Sequence, residues 1–315
     1  MENNFENFYN NINKLELEEY WKKAINEKNK KNRMSLITIL IVDILVIFFS
    51  YIIFKNFIQF LIFPIFMFLL IMDIIIFAIY TIALSGKGLE YNAVFKERII
   101  NSLFKNFFNE VDYIPKKQMA ESIYREGNYK EYYNEYFSDD YMEGSINGKN
   151  FIKMAEITTK EVKTETDSEG NKHTTTTIIF SGLFAKINIG KSIENEIRIM
   201  QNGAFFKKNK LEMDSQEFEK YFDIISSNQI LGMQLLTHDI MDLLVQFRKV
   251  LQRPFDILIK DDIMYIRLHV GKLFEAGVNK NDIIDKTILE KYYNIVDFIS
   301  SLASEMIKVV EDTEI

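Results

Sequence analysis

The chain has 315 residues, and its 38 Lys and Arg against 45 Asp and Glu give a formal net charge of −7. This mildly acidic balance lacks the basic stripe that nucleic-acid binding requires, so nucleic acid is excluded as a partner. Cysteine is absent, which excludes disulfides, thiol nucleophiles and thiolate metal sites.

An amphipathic arm, predicted to be cytoplasmic, opens the chain over residues 1–35. Its apolar side chains recur at the spacing of one helix face, which predicts a helix from Phe5 to Arg33. The first members of this face are Phe5, Phe8, Tyr9 and Ile12. The basic end of the arm either contacts anionic lipid or only sets membrane topology, and both interpretations stay open.

Two apolar segments follow, over residues 36–54 and 57–84, with Lys55-Asn56 between them. At about 1.5 Å per residue each is long enough to cross a bilayer core of about 30 Å, which predicts a two-helix transmembrane hairpin. Lys and Arg are concentrated before the first segment and after the second, so both termini are predicted to be cytoplasmic. We therefore expect a multi-pass membrane protein in contact with the lipid bilayer.

Each predicted span contains one acid, Asp43 in the first and Asp73 in the second. An ionised carboxylate deep in a bilayer costs about 3 kcal/mol on insertion scales. The intramembrane pair either forms an ion or proton path or an oligomer seam, or it joins the two helices as protonated, hydrogen-bonded carboxyls. We favour the second interpretation, because two acids without basic partners make a poor conduction path.

Residues 86–140 are predicted to be a helical neck. An amphipathic helix is indicated there, broken by Pro115, and its apolar face consists of Ile100, Leu103, Phe104, Phe107, Phe108 and Val111. A tyrosine-rich stretch ends the neck, and its candidate aromatic face consists of Tyr129, Tyr132, Tyr133 and Tyr136. Such a face docks a partner or, as we favour, forms a half-buried part of the core.

Residues 141–315 are predicted to be a cytoplasmic α+β domain. Period-two patterning predicts long antiparallel strands over 151–166 and 173–189, joined by a tight turn. The arms beside this turn are polar on both faces, which predicts a ribbon that projects beyond the core. Its candidate interaction residues are Lys163, Thr164, Glu165, Thr166, His173 and Thr174. The ribbon either adds to a partner's strand or is only a solvated hairpin.

The pattern then predicts short strands at 196–200 and 210–213, helices over 215–251, and a hairpin over 255–270 that turns at Asp261-Asp262. A final amphipathic helix packs on its own sheet or forms a coiled-coil seam in a homo-oligomer, because its apolar residues follow heptad spacing. The predicted fold class is α+β: a two-helix transmembrane hairpin, then a cytoplasmic domain with a largely antiparallel curved sheet and packed amphipathic helices.

Several segments resemble a known family, and the order of the predicted elements matches that family over nearly the full chain. These segments are Asp139–Gly144, Phe180–Phe184, Phe218–Phe222, Leu235–Thr237 and Ile257–Arg267. They resemble a bacterial family known only as domain of unknown function three-one-three-seven, with one departure at His238, where a proline is expected. The resemblance implies a protein of the bacterial inner membrane with a cytoplasmic α+β domain, and a LemA-like membrane protein as a partner. It implies no activity.

The sequence contains no recognisable constellation of catalytic residues. The histidines His173, His238 and His269 stand too far apart for a recognisable metal site, and the acid pairs Asp139-Asp140 and Asp261-Asp262 look turn-like. We therefore predict no catalytic, cofactor-binding or metal-ligating residue and no cofactor.

The predicted function is that of a membrane-anchored, non-catalytic scaffold or interaction protein with a protein partner in the cytoplasm. One alternative is an oligomeric membrane effector or small channel gated by the cytoplasmic domain. The other alternative is a lipid-headgroup-binding module of the pleckstrin-homology type, because a sheet followed by a long terminal helix suits that architecture.

Overall fold

The structure is a computed structural model that describes residues 2–12, 14–54, 89–167, 170–203, 209–277 and 281–313. The chain divides into two compact units. The helical unit consists of Asn11–Phe95 and Ala276–Lys286, and the sheet unit consists of Met1–Asn10, Lys96–Glu275 and Thr287–Ile315. All strands that the structure describes belong to the sheet unit.

Helices and strands together confirm the α+β class. The helices are α1 (Glu2–Asn11), α2 (Leu15–Phe54), α3 (Leu89–Phe95), α4 (Asn101–Phe107), α5 (Glu121–Arg125), α6 (Gln216–Glu219), α7 (Gln229–Leu235), α8 (His238–Leu251) and α9 (Lys286–Asp312). A π-helical turn, Lys96–Ile100, precedes α4. The strands are β1 (Asn109–Ile114), β2 (Glu135–Ile146), β3 (Asn150–Thr166), β4 (Lys172–Gln201), β5 (Lys210–Leu211), β6 (Phe222–Ser226) and β7 (Phe255–Leu268).

The helical unit is built on α2, which has a charged first half and an apolar second half. Acids in its first turn, Glu16 and Glu18, interact favourably with the positive end of the helix dipole. Lys23 pairs with Glu90 of α3 at 2.5 Å on the surface. The helix predicted from Phe5 to Arg33 is two helices, because α1 ends at Asn11 and α2 begins at Leu15.

The predicted membrane hairpin is only partly covered by the described residues. Residues 36–54 are helical within α2, whereas 57–84 lie outside the described residues, and Asp73 with them. In the part of the chain that the structure describes, no helix has the length and apolarity that a membrane crossing requires. Asp43 is half-buried, and its Oδ1 atom has no hydrogen-bond partner among the described residues. The hairpin and the Asp43–Asp73 pair therefore stay predictions.

The sheet has the strand order β1-β2-β3-β4-β6-β5, and β7 pairs with β4 beside this path. Each strand pair among the described residues is antiparallel. The path starts at β1 and ends at β5 without a pairing between these two strands, so the sheet is open. The predicted antiparallel pairing is confirmed, whereas the predicted curvature is not.

The middle of the sheet is covered on both faces. Met154, Ala155, Glu156 and Ile157 are consecutive residues of β3, and all four are buried. Successive side chains of a strand point to opposite faces, so burial of consecutive residues requires cover on each side. The predicted hairpin of β3 and β4 is present, with pairing that continues to the tip at Thr166 and Lys172.

The apolar face of α9 packs within its own chain. Phe298 stacks on Phe247 of α8 with ring centroids 3.6 Å apart. Tyr293 contacts Phe5 and Phe8 of α1, with centroid distances of 5.4 and 5.6 Å. Because intramolecular contacts cover this face, the structure favours the helix packed in its own domain over the coiled-coil seam.

The hairpin predicted over 255–270 is wrong, because β7 is one strand that pairs with β4 along its length. Asp261 has a positive φ of 54°, a conformation that Asp tolerates and that turns also use, so a residue typical of turns lies within a strand here. Pairing passes from Ile263 opposite Asn188 to Asp261 opposite Ile193, so the irregularity is a register shift between two continuing strands.

Two further segments contain strands where helix is predicted. The neck over 86–140 includes β1 and the start of β2, since the helix ends at Phe107 and Phe108 is extended with φ −128° and ψ 154°. The helical run over 215–251 is interrupted by β6, which pairs with both β4 and β5. In both places a short segment with two or three apolar residues fits a strand as well as a helix, and tertiary pairing decides between them.

Candidate functional site

Asp139 and Asp140 lie at a bulge of β2 rather than in a turn. Asp139 pairs with Glu156 of β3, and the next residues in register are Met142 and Met154. Two residues of β2 therefore oppose one residue of β3, and Asp140 has a positive φ of 52°. As a result, carboxylate oxygens of Asp139, Asp140 and Glu156 all lie within 4.8 Å of one another.

Lys96 pairs with this acidic group from the π-helical turn before α4. Its Nζ atom donates to Oδ2 of Asp140 at 2.6 Å and to Oε1 of Glu275 at 2.8 Å. The hydroxyl of Tyr113 in β1 donates to the other oxygen, Oδ1 of Asp140, at 2.5 Å. Asp140 is fully buried, so both of its oxygens exchange water for charged or polar protein donors.

The pKa values show which of these groups are charged. Burial raises the pKa of Asp140 to about 6, although the ammonium of Lys96 and the hydroxyl of Tyr113 act in the opposite direction. Burial on its own would lower the pKa of Lys96, but the carboxylates of Asp140 and Glu275 outweigh it and raise that pKa. At pH 7 Lys96 and Asp140 therefore form a buried ion pair.

Glu156 is the neutral member of the cluster. Its side chain is buried, and its Oε1 atom accepts a hydrogen bond from the backbone N–H of Leu273 at 2.7 Å. Burial, and then the negative charges of Asp140 and Asp139, raise the pKa of Glu156 to about 9. Glu156 is therefore protonated at pH 7.

We expect Glu156 to make stability fall as pH rises. Between about pH 5 and the folded pKa of about 9, the unfolded chain loses this proton and the folded chain keeps it. The free energy of unfolding then decreases by about 1.4 kcal/mol per pH unit from this group. The side chain in Glu156→Gln stays neutral and can still accept a hydrogen bond from the N–H of Leu273. The free energy of unfolding of this variant, relative to that of the parent protein, should therefore increase with pH.

Thermal unfolding of both proteins from about pH 5.5 to about pH 8.5 checks this expectation. Glu165→Gln, at an exposed ribbon position, is the matched control and should leave the pH dependence unchanged. A difference between Glu156→Gln and the parent that is the same at every pH would contradict the protonation of Glu156.

The cluster is better suited to holding a proton than a metal ion. Carboxylates must be deprotonated to bind a metal, whereas Glu156 keeps its proton at neutral pH. The ammonium of Lys96 already lies 2.6 Å from Asp140 and neutralises the charge of that carboxylate. The arrangement therefore acts as an electrostatic tie that joins the π-helical turn, β1 and β2 to Glu275.

A second charged group anchors the tyrosine-rich stretch to β7. The guanidinium of Arg267 is buried, donates to both oxygens of Glu131 at 2.6 and 3.0 Å, and donates to Asp256 at 2.9 Å. It also lies 4.0 Å from the ring centroid of Tyr129. This planar fork holds an otherwise irregular segment against the sheet.

The predicted aromatic face is mostly part of the core. Tyr129, Tyr133 and Tyr136 are partly buried and pack against a cluster that contains Tyr124 and Phe184. Tyr132 differs, because its side chain is 69% exposed. The structure thus favours the half-buried interpretation for three of the four tyrosines.

The ribbon residues are brought together as the sequence predicts. Thr164 pairs with Thr174, and Glu165 pairs with His173. Residues 163–166 and 171–178 are exposed, so both faces of the ribbon lie in water. His173 also contacts Asp167 at 3.1 Å across the base of the turn.

The cluster around Lys96 was not predicted from the sequence. Its one local signal is the adjacent acids Asp139 and Asp140, since two neighbouring carboxylates in a strand share a face only at a bulge. Nothing in the sequence near Lys96 or Glu275 marks them as partners, because they are 179 positions apart.

Comparison with known proteins supports the predicted resemblance over part of the chain. Residues 178–308 match a family described as "Protein of unknown function (DUF3137)". Among solved structures, the chain is similar to the mycobacterial trehalose monomycolate transport factor A, TtfA, with 8% sequence identity and a TM-score of 0.33. That similarity covers 64% of this chain and 90% of the other. No curated protein matches the chain.

Proposed function

We propose that this protein is a membrane-anchored, non-catalytic scaffold of the bacterial inner membrane. Its sheet unit recognises a protein partner in the cytoplasm through the ribbon of β3 and β4. The observation that carries this proposal is the exposure of residues 163–166 and 171–178 on both faces of a paired hairpin.

The membrane anchor is supported by the sequence of residues 36–54 and 57–84, which are nearly free of charge. The apolar side chains of Ile37, Ile41 and Ile44 are about half exposed on α2. Exposed apolar residues at this helical spacing suit a lipid environment better than water. The basic residues before 36 favour cytoplasmic termini.

The ribbon supports partner recognition because it contributes little to the core. A two-stranded hairpin without a buried face is marginally stable by itself, so packing cannot account for this length of paired strand. A polar strand pair that is exposed on both faces offers its side chains to another protein, and an open strand edge offers backbone hydrogen bonds as well. A LemA-like membrane protein, which the family resemblance implies, is the first partner to test.

A shortened ribbon tests this function. We would replace residues 164–174 by Asn-Gly, because Lys163 and Thr175 are paired and a two-residue turn keeps their register. The variant should insert and unfold like the parent protein, and it should fail to recover the partner in affinity purification from native membranes.

The matched control replaces residues 168–170 by Asn-Gly between Asp167 and Asn171. Asp167 N–H already donates to the carbonyl of Asn171 at 2.9 Å, so the full ribbon is kept. This control should recover the same partner as the parent. Equal recovery by the shortened ribbon and the control would refute the proposed role.

A further inference from the structure

We propose that two copies of this chain pair through the outer edge of β4 in the ribbon, which we call the threonine edge (His173–Ile178). This stretch of β4 has β3 as a strand neighbour, while β6 and β7 pair with β4 only between Leu183 and Gln201. The side of the threonine edge that faces away from β3 is therefore unoccupied by any described strand.

The hydrogen bonds of the ribbon identify the groups that point outward. Asp167 bonds to Asn171 across the turn, and bonded and non-bonded residue pairs alternate along an antiparallel ribbon. Lys163 with Thr175 is therefore a bonded pair, whereas Thr164 with Thr174 is a non-bonded pair. The Oγ1 atoms of Thr164 and Thr174 lie 3.2 Å apart, as expected for the closer, non-bonded type.

The outward backbone groups of β4 follow from this alternation. They belong to Lys172, Thr174, Thr176 and Ile178, and each residue directs one N–H and one C=O away from β3. All four side chains are exposed, and Ile178 is 61% exposed.

The opposite edge of the ribbon, on β3, is partly closed. The side chain of Asn134 acts as a short strand: its Nδ2 donates to the carbonyl of Val162 at 2.7 Å, and its Oδ1 accepts from the N–H of Val162 at 2.8 Å. The backbone N–H of Asn134 also donates to the carbonyl of Lys160 at 3.0 Å. Charged side chains at Lys163 and Glu165 further discourage strand addition on this side.

The threonine edge has none of these protections. Residues 173–178 contain no Asp, Glu, Lys, Arg or Pro, so Lys172 is the one charged residue among the four that direct backbone groups outward. The four residues Thr174–Thr177 are all β-branched. An uncharged, regular and exposed edge of this kind is the type to which another strand adds.

The occupant that fits is a second copy, because the edge is self-complementary. Antiparallel pairing about a two-fold axis at Thr175 places Thr174 opposite the second copy's Thr176, and Lys172 opposite its Ile178. No like charges face each other, and the threonines form favourable cross-strand pairs. The four outward residues of each copy then satisfy both of their backbone groups in one symmetric interface.

A single cysteine tests the geometry, since the chain has none of its own. In the proposed dimer the two Thr175 residues form a non-bonded pair, with Cα atoms about 4.5 Å apart, within disulfide range. Thr175→Cys in the full chain in native membranes should therefore give a covalent dimer under mild oxidation. Lys163→Cys, its neighbour on β3, is the control and should not, because two strands separate the copies at that position.

Charge variants test the register. Thr174→Lys with Thr176→Lys puts lysines opposite lysines, and should abolish both the Thr175→Cys cross-link and the dimer mass of the detergent-solubilised full chain. Thr174→Glu with Thr176→Lys puts opposite charges in the same places and should restore both. Thr164→Lys, on the β3 edge, should change neither.

Two results would overturn the inference: cross-linking of Thr175→Cys no greater than that of Lys163→Cys, or a dimer that persists in the double-lysine variant. A mixed disulfide between Thr175→Cys and a different protein would assign the edge to that protein instead. Partner recovery is measured separately. If the Thr175→Cys chain forms neither the cross-link nor the dimer but still recovers its partner, this inference is refuted and the proposed scaffold role stays intact.

Discussion

Lys96→Met is expected to lower the free energy of unfolding by about 3–5 kcal/mol. The substitution keeps the volume of the alkyl chain but removes the cation that neutralises Asp140, which is fully buried. Asp140 must then remain as an unpaired buried charge or take up a proton, and either outcome costs stability. Thermal or urea unfolding of the full chain measures the effect.

Two variants separate this charge effect from lost packing. Lys105→Met changes an exposed lysine of α4 and should alter stability by less than about 0.5 kcal/mol. Lys96→Met combined with Asp140→Asn removes both charges and should recover part of the loss. If Lys96→Met costs no more than Lys105→Met, the buried ion pair is not stabilising the fold.

Gly182→Ala is expected to have the second large effect, lowering the free energy of unfolding by about 3 kcal/mol. A Cβ atom at Gly182 would lie 1.8 Å from the carbonyl oxygen of Leu268 and 2.9 Å from the nitrogen of Val270. Both are backbone atoms, one in the last residue of β7 and one two residues beyond it, where Leu183 pairs with Leu268. They can move away only if this end of the β4–β7 pairing opens.

Gly203→Ala is the matched control, because nothing lies within 4 Å of a Cβ atom there. The φ of Gly203 is 96°, a conformation that strains an alanine. The free energy of unfolding of this control should therefore fall by about 1 kcal/mol from backbone strain alone. Equal losses at the two positions in thermal unfolding would show that the contact with Leu268 is relieved at little cost.

Elements with a clear period could be predicted from the sequence. The helix α8 and the helix α9 have strongly one-sided apolar patterns, and both are present near their predicted positions. The ribbon of β3 and β4 is likewise marked by alternation and by turn residues. In these elements local pattern and tertiary packing agree, so the local pattern is sufficient.

Elements that depend on a distant strand could not be predicted. Asp261 looks like a turn residue, yet β7 continues through it because β4 shifts register between Asn188 and Ile193. Asp139 and Asp140 also look like turn residues, but they form a bulge of β2 opposite β3. In each case the irregularity is a property of two paired strands, and the sequence of one strand contains only half of it.

The charged cluster around Lys96 could not be predicted from the sequence either, because its members are far apart along the chain. Lys96 contacts Asp140 and Glu275, which lie 44 and 179 positions away along the chain. A lysine in an amphipathic helix normally faces solvent, so its burial follows only from where the fold places carboxylates. The family match over 178–308 leaves out Lys96 and Asp140, and it does not mark this cluster either.

The position of β4 has a consequence for how this protein is made. β4 is a 30-residue strand that pairs with β3, β6 and β7. On a ribosome, β3 is available at once, but β7 begins only at Phe255 and leaves the exit tunnel much later. Until then one edge of β4 is unpaired and its apolar side chains, such as Leu183, Phe184 and Ile187, are uncovered, a state that favours aggregation. Pairing between such distant segments is also slow. We therefore expect chaperone demand to peak during synthesis of residues 202–268, and chains truncated before β7 to aggregate rather than fold.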